Sequence, residues 1–453
     1  MKKSPPIAGG LMTAAALTVA LAGCAGGGGS SADANTIRVA YQTTATFNQM
    51  QTLMENAKKQ FEASHEGVTV ELVPIQAEGP DYYTKLALMN KSASTAPDVQ
   101  YEDTFKIQSD AAAGYLLPLD DYLAKWDDWS QFAEGAKQAG LGPDGKTYGV
   151  SLGTDTRGLW YNKDLFAKAG IPVPWQPKTW ADILSAAEKV KAADPDVIPI
   201  NVYSGKTAGE AASMQGLEML LYGTDDTLYD TSSKKWVVGS QGFKDSLKFI
   251  SDVYQGGLGP SLQQALDPNI FTSVTADWLP SSKLAIALDG SWQSAAWIDG
   301  GTAPWPQWSD TLGIAAMPTQ KGQAPGTTSM SGGWTLALGK NTKNADLAWE
   351  FLTTAVNKDN ATAYDIDNSQ IAVRADVAKS TEYLGANPSF ETFSSFVDTT
   401  HFRPATEDYD KISNQIQVAM EAVMTGQSSV DDAAAASDQA VIGIVGEENT
   451  QKG

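Results

Sequence analysis

Cysteine and histidine are nearly absent from this sequence. Its 453 residues include one cysteine, Cys24, and two histidines, His65 and His401. A single cysteine excludes a disulfide framework within the chain. Histidine and cysteine are the usual ligands of zinc and related metals, so we expect no metal site and no cofactor. Neither histidine accompanies a nucleophile motif, which argues against a Ser/His/Asp hydrolase.

Positive charge and long apolar runs are also scarce. The chain carries 32 lysines and arginines against 53 aspartates and glutamates, a net charge of −21. This balance argues against nucleic acid or anionic lipid as an electrostatically recruited partner. The N-terminal apolar run, Leu11 to Leu21, is too short to cross a bilayer as a stable helix. By contrast, 13 tryptophans and 15 tyrosines supply many aromatic faces.

The N-terminal segment has the order of a secretory signal. Two lysines precede the apolar run, which ends in Leu21-Ala22-Gly23-Cys24. The cysteine is either an ordinary buried thiol or the lipid acceptor of a lipobox, which these four residues resemble at each position. We predict a lipoprotein signal peptide over 1–23, a lipid such as palmitate on Cys24, and a Gly/Ser-rich tether over 24–35. The mature protein, with a net charge of about −23, would then be anchored on the extracytoplasmic face of the cytoplasmic membrane.

The apolar spacing beyond the tether predicts an α/β fold. Residues 37–41, 68–75 and 99–101 have the composition of strands, and apolar residues at helical spacing lie between them. This βαβα order is typical of a parallel sheet covered by helices. The chain is mostly helical from Ala345 onward, and the polar segment 446–453 is predicted to fray. A mature length of about 430 residues favours two or three core-forming units.

Six short motifs together resemble a known family. In chain order they are Pro97-Asp98-Val99, Leu117-Pro118-Leu119-Asp120, Trp160-Tyr161-Asn162-Lys163-Asp164-Leu165-Phe166, Lys178-Thr179-Trp180, Ala287-Leu288-Asp289-Gly290-Ser291-Trp292 and Ser331-Gly332-Gly333-Trp334. Their order and spacing are similar to those of the family 1 extracellular solute-binding proteins, the sugar-binding group that includes the maltodextrin binders. Each motif is weak alone, but the resemblance extends from about Thr36 to the region of Gly426.

The resemblance implies a two-lobed fold of the periplasmic-binding-protein type, with hinge strands between the lobes. Lobe one would take 36–150 and 335–397, and lobe two would take 151–334 and 398–453. The implied function is that of the substrate-binding component of an ABC importer, which holds a carbohydrate, expected to be an oligosaccharide, in the cleft. It would deliver this ligand to the permease subunits, as a monomer and not as an enzyme.

A sugar site needs two kinds of side chain, and both occur where strands are predicted to end. Sugar hydroxyls bind carboxylate, amide and guanidinium groups, and sugar C–H faces pack on aromatic rings. In open α/β sheets such residues lie past the carboxyl ends of strands. On this ground the candidates are Tyr41 and Gln42 after the first strand, Glu102 and Asp103 after the third, and Tyr203 with Glu210 further on. An ordinary solvated loop is the alternative for each, although the resemblance favours ligand contact for the acidic pair.

The remaining candidates lie at the predicted chain crossings and in the C-terminal part. Asp155 is six residues before Tyr161, where the resemblance places a ligand-contacting acid, and Arg157 follows it. Trp292 follows Asp289-Gly290-Ser291, a turn predicted to end a buried strand, and is either a stacking platform or a core tryptophan. Gly332 and Gly333 fit a crossing where the backbone bends or approaches a ligand, and Trp334 beside them is a second candidate platform. The Trp305 and Trp308 loop is either a lid or plain surface.

One departure from the maltodextrin binders narrows the expected ligand. Where they carry two adjacent aromatic residues, this chain has Ser413 and Asn414, and only Tyr409 nearby could compensate. A plain maltodextrin is therefore not the expected ligand. Two other function classes stay open: a binder of a polyol or phosphorylated polyol, and a secreted glycosidase that would use paired carboxylates such as Glu102 or Asp103 with Asp155.

Overall fold

The computed structural model describes residues 35–77 and 79–453, with the backbone alone for Pro80. The predicted signal peptide, Cys24 and the tether up to residue 34 lie outside the described residues. Within the described ranges, no helix has both the length and the hydropathy that a membrane span requires.

The strands of the described chain are β1 (Thr36–Thr43), β2 (Thr69–Gln76), β3 (Val99–Asp103), β4 (Gly149–Gly153), β5 (Arg157–Asn162), β6 (Ile198–Asn201), β7 (Tyr229–Asp230), β8 (Lys235–Val238), β9 (Leu284–Gly290), β10 (Leu312–Ala315), β11 (Met317–Pro318), β12 (Thr327–Met330), β13 (Trp334–Leu338), β14 (Thr400–His401) and β15 (Thr450–Lys452). Two larger sheets carry the architecture, and two smaller sheets lie beside the second.

The α-helices of the same ranges are α1 (Gln49–Ser64), α2 (Gly79–Asn90), α3 (Lys106–Ala112), α4 (Asp120–Leu123), α5 (Glu134–Ala139), α6 (Lys163–Lys168), α7 (Trp180–Ala193), α8 (Met219–Leu221), α9 (Gln241–Gln255), α10 (Leu262–Ala265), α11 (Ile270–Thr272), α12 (Trp308–Thr311), α13 (Ala345–Ala355), α14 (Lys358–Asp367), α15 (Ala375–Ala378), α16 (Thr381–Ala386), α17 (Phe390–Ser394), α18 (Tyr409–Met424) and α19 (Val430–Val445). Two π-helical segments, Ala211–Glu218 and Ser273–Trp278, and several short 3₁₀ turns complete the helical structure.

The first sheet has five strands in the order β2-β1-β3-β13-β4. Its first three strands are parallel, and β13 runs antiparallel to both β3 and β4. Helix α1 turns Leu53, Met54 and Phe61 into the apolar cluster on this sheet, at the spacing of one helix face. The predicted βαβ start and α/β class are confirmed here.

The second sheet has four strands in the order β10-β5-β9-β6 and a separate apolar cluster. The chain leaves the first sheet after β4 and joins the second at β5, so residues 154–156 form a crossing. Residues 331–333 form another, since β12 pairs within a small sheet and β13 belongs to the first sheet. The Thr154 and Asp155 side chains of the first crossing hydrogen-bond the Gly332 backbone of the second.

Local sequence signals explain where several helices begin. The Thr179 hydroxyl accepts a hydrogen bond from the Asp182 backbone N–H, and the Asp182 carboxylate accepts one from the Thr179 backbone N–H; this capping box starts α7. Ser240 caps α9 by accepting from the backbone of Phe243. Both sites agree with the spacing of polar and apolar residues in the sequence.

Two expectations from the sequence differ from the structure. Residues 450–452 do not fray but form β15, which pairs in parallel with β8. The Trp305 and Trp308 loop is neither a lid nor plain surface. Trp308 is buried, and Trp305 packs edge-on against the buried Trp297 at 5.6 Å between ring centroids.

Candidate functional site

A cavity of about 560 Å³ lies where the two crossings meet. Side chains from both large sheets and their helices contribute to its wall. Those that matter for its chemistry are Gln42, Phe47, Asp81, Tyr83, Tyr101, Asp103, Asp155, Arg157, Glu210, Gln215, Phe271, Asp289, Trp292, Gln293, Gly333, Trp334, Tyr364 and Arg403.

Two half-buried tryptophans give the cavity flat apolar surfaces. Trp334 starts β13 and stacks on Tyr101, with 4.2 Å between ring centroids and 8° between ring planes. Trp292 follows β9, and the Arg157 guanidinium carbon lies 4.6 Å from its ring centroid. Each ring is thus fixed by a partner within the protein, while both line the cavity. Such rings pack well against the C–H face of a sugar.

Two carboxylates face the cavity because two strands end at the same edge of the first sheet. Strands β3 and β4 are both antiparallel to β13 and therefore parallel to each other. Asp103 ends β3, and Asp155 lies two residues past the end of β4. Asp155 forms an ion pair with Arg157 through Oδ1, which also accepts from the Gly332 backbone N–H at 2.8 Å. Burial lowers the pKa of Arg157, and the Asp155 carboxylate offsets part of that effect.

A second buried arginine, Arg403, joins the two halves of the cavity wall. It donates through Nη2 to Asp103 at 2.6 Å and through Nη1 to Glu210 at 3.3 Å. Its guanidinium carbon lies 4.2 Å from the ring centroid of Phe105. Burial alone would lower the pKa of Arg403, but the two carboxylates outweigh burial and raise it. Arg403 therefore stays charged and has a fixed position.

Glu210 belongs to a buried polar cluster at one end of the cavity. Besides Arg403, it accepts a hydrogen bond from Ser413 and lies 3.2 Å from the Tyr409 hydroxyl. That hydroxyl donates to Glu218 at 2.6 Å. Burial raises the pKa of Glu218 to about 8, so this second carboxyl is mostly protonated at neutral pH. Burial also raises the pKa of Glu210, and the neighbouring Arg403 opposes that rise.

Metal binding has no structural support in the described ranges. No group of three or more histidine, cysteine, aspartate or glutamate side chains there has the arrangement of a metal site. The buried carboxylates of the cavity, Asp103, Asp155 and Asp289, are instead paired with arginine, tyrosine or amide groups.

The chain matches the family model of the bacterial extracellular solute-binding proteins over residues 44–362. The chain belongs to this family. Among its relatives, a binding protein of Brucella abortus is 26% identical over 422 residues, which are 90% of this chain and 94% of that protein. The sn-glycerol-3-phosphate-binding periplasmic protein UgpB of Rhizobium meliloti is 24% identical over 285 residues, 62% of each chain.

Solved structures with the same fold include an ABC transporter solute-binding protein and a receptor. An ABC transporter solute-binding protein of Thermotoga lettingae, bound with α-D-tagatose, has a TM-score of 0.77 at 22% identity, covering 90% of this chain and 99% of that one. The GacH receptor of Streptomyces glaucescens, solved unliganded and with acarbose, has a TM-score of 0.75 at 22% identity, covering 90% and 98%. These likenesses confirm the predicted α/β fold of the two-lobed binding-protein type.

The structure of this solute-binding protein brings most of the predicted site residues together. Those that line the cavity are Gln42, Asp103, Asp155, Arg157, Glu210, Trp292, Gly333 and Trp334. Their contact with a ligand stays a prediction.

The other predicted residues lie behind the wall. Tyr41 is buried in the apolar cluster of the first sheet, where burial raises its pKa to about 12. Glu102 is buried and accepts from Gln100 at 2.6 Å, and burial raises its pKa. Tyr203 donates to Asp289 at 2.9 Å, and Tyr409 bonds Glu218. The Gly332 backbone N–H donates to Asp155. Tyr203, Tyr409 and Gly332 therefore support the wall residues Asp289, Glu210 and Asp155.

Several residues of the cavity wall were not predicted from the sequence. Arg403 lies in an irregular loop 300 residues from Asp103, and nothing in its local sequence sets it apart. Gln215 lies in a π-helical segment, and Phe271 lies in a helix of three residues, so neither stands in a recognisable motif. Asp289 lies within one of the six family motifs, and its position near the end of a buried strand could have identified it.

Proposed function

We propose that this solute-binding protein is the extracytoplasmic substrate-binding component of an ABC importer and that it binds a carbohydrate. The observation that carries the proposal is the composition of the 560 Å³ cavity. It combines two tryptophan faces with fixed carboxylates and amides, which together suit the apolar faces and the hydroxyls of a sugar. The volume lies in the range of about 300–1,000 Å³ that is usual for small-molecule sites.

Free hydrogen-bonding capacity is left in the wall for sugar hydroxyls. Oδ2 of Asp155 has no hydrogen bond to another described residue, and the Gln215 amide, which is 6% exposed, has none either. Asp81 at the rim adds an exposed carboxylate. A carboxylate and an amide can bind the hydroxyls of a pyranose ring while its C–H face packs on a tryptophan.

A phosphorylated polyol is the less favoured ligand, although one relative is named for sn-glycerol 3-phosphate. Both arginines in the wall already pair with carboxylates, Arg157 with Asp155 and Arg403 with Asp103 and Glu210. The further acids Asp81 and Asp289 also line the cavity. An anionic ligand would meet a net negative wall, which a neutral sugar does not.

We propose that binding closes two lobes over the ligand, with the boundaries at 36–150 plus 335–397 and 151–334 plus 398–453. Support comes from the cavity wall, which draws on the elements of both large sheets at the crossings 154–156 and 331–333. A ligand that contacts both sides favours the closed state, which the permease would recognise. Small-angle scattering should show a smaller radius of gyration at saturation, and an unchanged radius would contradict closure.

We also propose that Cys24 carries the lipid that keeps the protein at the membrane, as a monomer. The lipobox resemblance of Leu21-Ala22-Gly23-Cys24 supports this. Membrane fractionation of the full chain tests it: wild type should sediment with membranes, and Cys24→Ser should be released. Equal sedimentation of both forms would contradict the anchor.

Calorimetric titration tests the carbohydrate proposal. The panel holds mono-, di- and trisaccharides of glucose, galactose, xylose and arabinose, with a polyol and glycerol 3-phosphate as competing classes. We expect saturable binding of at least one saccharide and none of glycerol 3-phosphate. Binding of the phosphate or the polyol alone would overturn the proposal. Assay of the same mixtures for new reducing ends tests the glycosidase alternative, since turnover would show an enzyme.

A further inference from the structure

A second cavity, of about 690 Å³, lies on the other side of Arg403 from the first. Its wall includes Phe105, Gln138, Tyr222, His401 and Phe402. Among the described wall residues, Arg403 is the one that lines both cavities. Arg403 therefore forms a partition between the first cavity, where we propose that a sugar binds, and this second one, which we call the rear cavity.

The partition is rigid because Arg403 is held from three sides. Its side chain is 5% exposed and pairs with Asp103 of β3 and with Glu210, which immediately precedes the π-helical segment. The ring of Phe105 covers one face of the guanidinium. A Cβ added at Gly332 would lie 3.2 Å from Nη2 of Arg403, so the glycine backbone closes the remaining side. If Arg403 swung aside, Asp103 and Glu210 would both lose their cationic partner.

The side chains next to Arg403 form a polar cluster at this end of the cavity. The Ser413 hydroxyl donates to Glu210 and lies 2.5 Å from the Ser213 hydroxyl. Glu210 is thereby held against α18, where it pairs with Arg403. This end of the cavity therefore carries a fixed ion pair.

We propose that Arg403 ends the carbohydrate site and so limits this protein to short saccharides. The inference rests on the proposed carbohydrate function and adds ligand length to it. A sugar ring beyond the limit would have to displace a buried, doubly paired guanidinium before it could reach the aromatic wall of the rear cavity. With a shorter side chain at position 403, the two cavities would join.

The test is a calorimetric length series, from mono- to hexasaccharide of the sugar that wild type binds best. For wild type, affinity should stop rising after the short members. The quantity to compare is the affinity for the longest member divided by the affinity for the shortest tight binder. This ratio should be at least about tenfold higher for Arg403→Ala than for wild type. An unchanged ratio in a folded variant, or a wild-type affinity that rises through the hexasaccharide, would overturn the proposal.

Two further variants keep the result interpretable. Arg403→Gln is shorter but still donates hydrogen bonds to the two carboxylates, so it replaces Arg403→Ala if thermal melting shows that the alanine variant is unfolded. Lys106→Met removes another ion pair, with Asp410, at a residue that lines neither cavity. It should leave the length preference unchanged. If Lys106→Met changes the length preference as much as Arg403→Ala does, the effect comes from general loosening of the structure, and the proposal is wrong. If wild type binds no saccharide at all, the proposed function itself fails.

Discussion

Replacing Trp292 with alanine should weaken ligand binding without unfolding the protein. The ring lines the cavity and is half-buried, and its stacking on a sugar would contribute about 0.5–1.5 kcal/mol beyond area burial. With the lost apolar contact added, we expect at least about 1 kcal/mol, a rise in Kd of about fivefold or more. Its contact with Arg157 lies within the protein, so the loss of that contact should lower stability.

The assay is calorimetry with the tightest saccharide, together with a thermal melt. Trp129→Ala is the matched control, because Trp129 is also half-buried but packs against Trp126 and Phe132 outside the cavity wall. The control should lower the melting temperature and leave Kd unchanged. An unaltered Kd for Trp292→Ala would refute the stacking argument and remove this ring from the site.

Three more predictions concern the cavity wall and the residues that support it. Gly290→Ala would place a Cβ 1.8 Å from the Trp292 ring, so the ring must shift, and Kd should rise while the aromatic side chain is retained; an unchanged Kd would contradict this. Gly333→Ala would combine a φ of +128° with a Cβ 2.5 Å from the Gly153 carbonyl oxygen, so the melting temperature should fall by the equivalent of about 1–3 kcal/mol, and a wild-type melt would show that the crossing relaxes. Burial raises the pKa of Glu218 from 4.5 to about 8, so the folded state holds a proton that the unfolded state releases, and stability should fall as pH rises through that window. The free energy of unfolding of Glu218→Gln, measured with urea at pH 5, 7 and 9, should lack this decrease with pH. A decrease equal to that of wild type would show that Glu218 is ionised in the folded state.

Much of the first half of the fold was predictable because its signals are local. Strands β1 to β3 and helix α1 are each marked by apolar periodicity, and the capping box of α7 lies within four residues. The C-terminal strand β15 was missed for the opposite reason. Its partner β8 lies more than 200 residues earlier, and a polar tripeptide carries no sign of that pairing.

The residues of the site also divide into those marked by local sequence and those positioned by distant contacts. Asp103, Asp155 and Trp292 follow strand ends, and a strand end is visible in the sequence. Tyr41 also follows this rule in part, but alternation along β1 turns it into the core while Gln42 faces the cavity. Arg403 could not be found in this way, since burial, two ion pairs and its place between two cavities all come from tertiary contacts.

The most direct test of carbohydrate binding in this cleft is a crystal structure with the tightest-binding saccharide. We expect a sugar ring against Trp292 or Trp334, its hydroxyls bonded to Asp155 and Gln215, and its innermost ring stopped at Arg403. A saccharide bound elsewhere, or a cleft that holds a different class of solute at saturating sugar, would contradict the account.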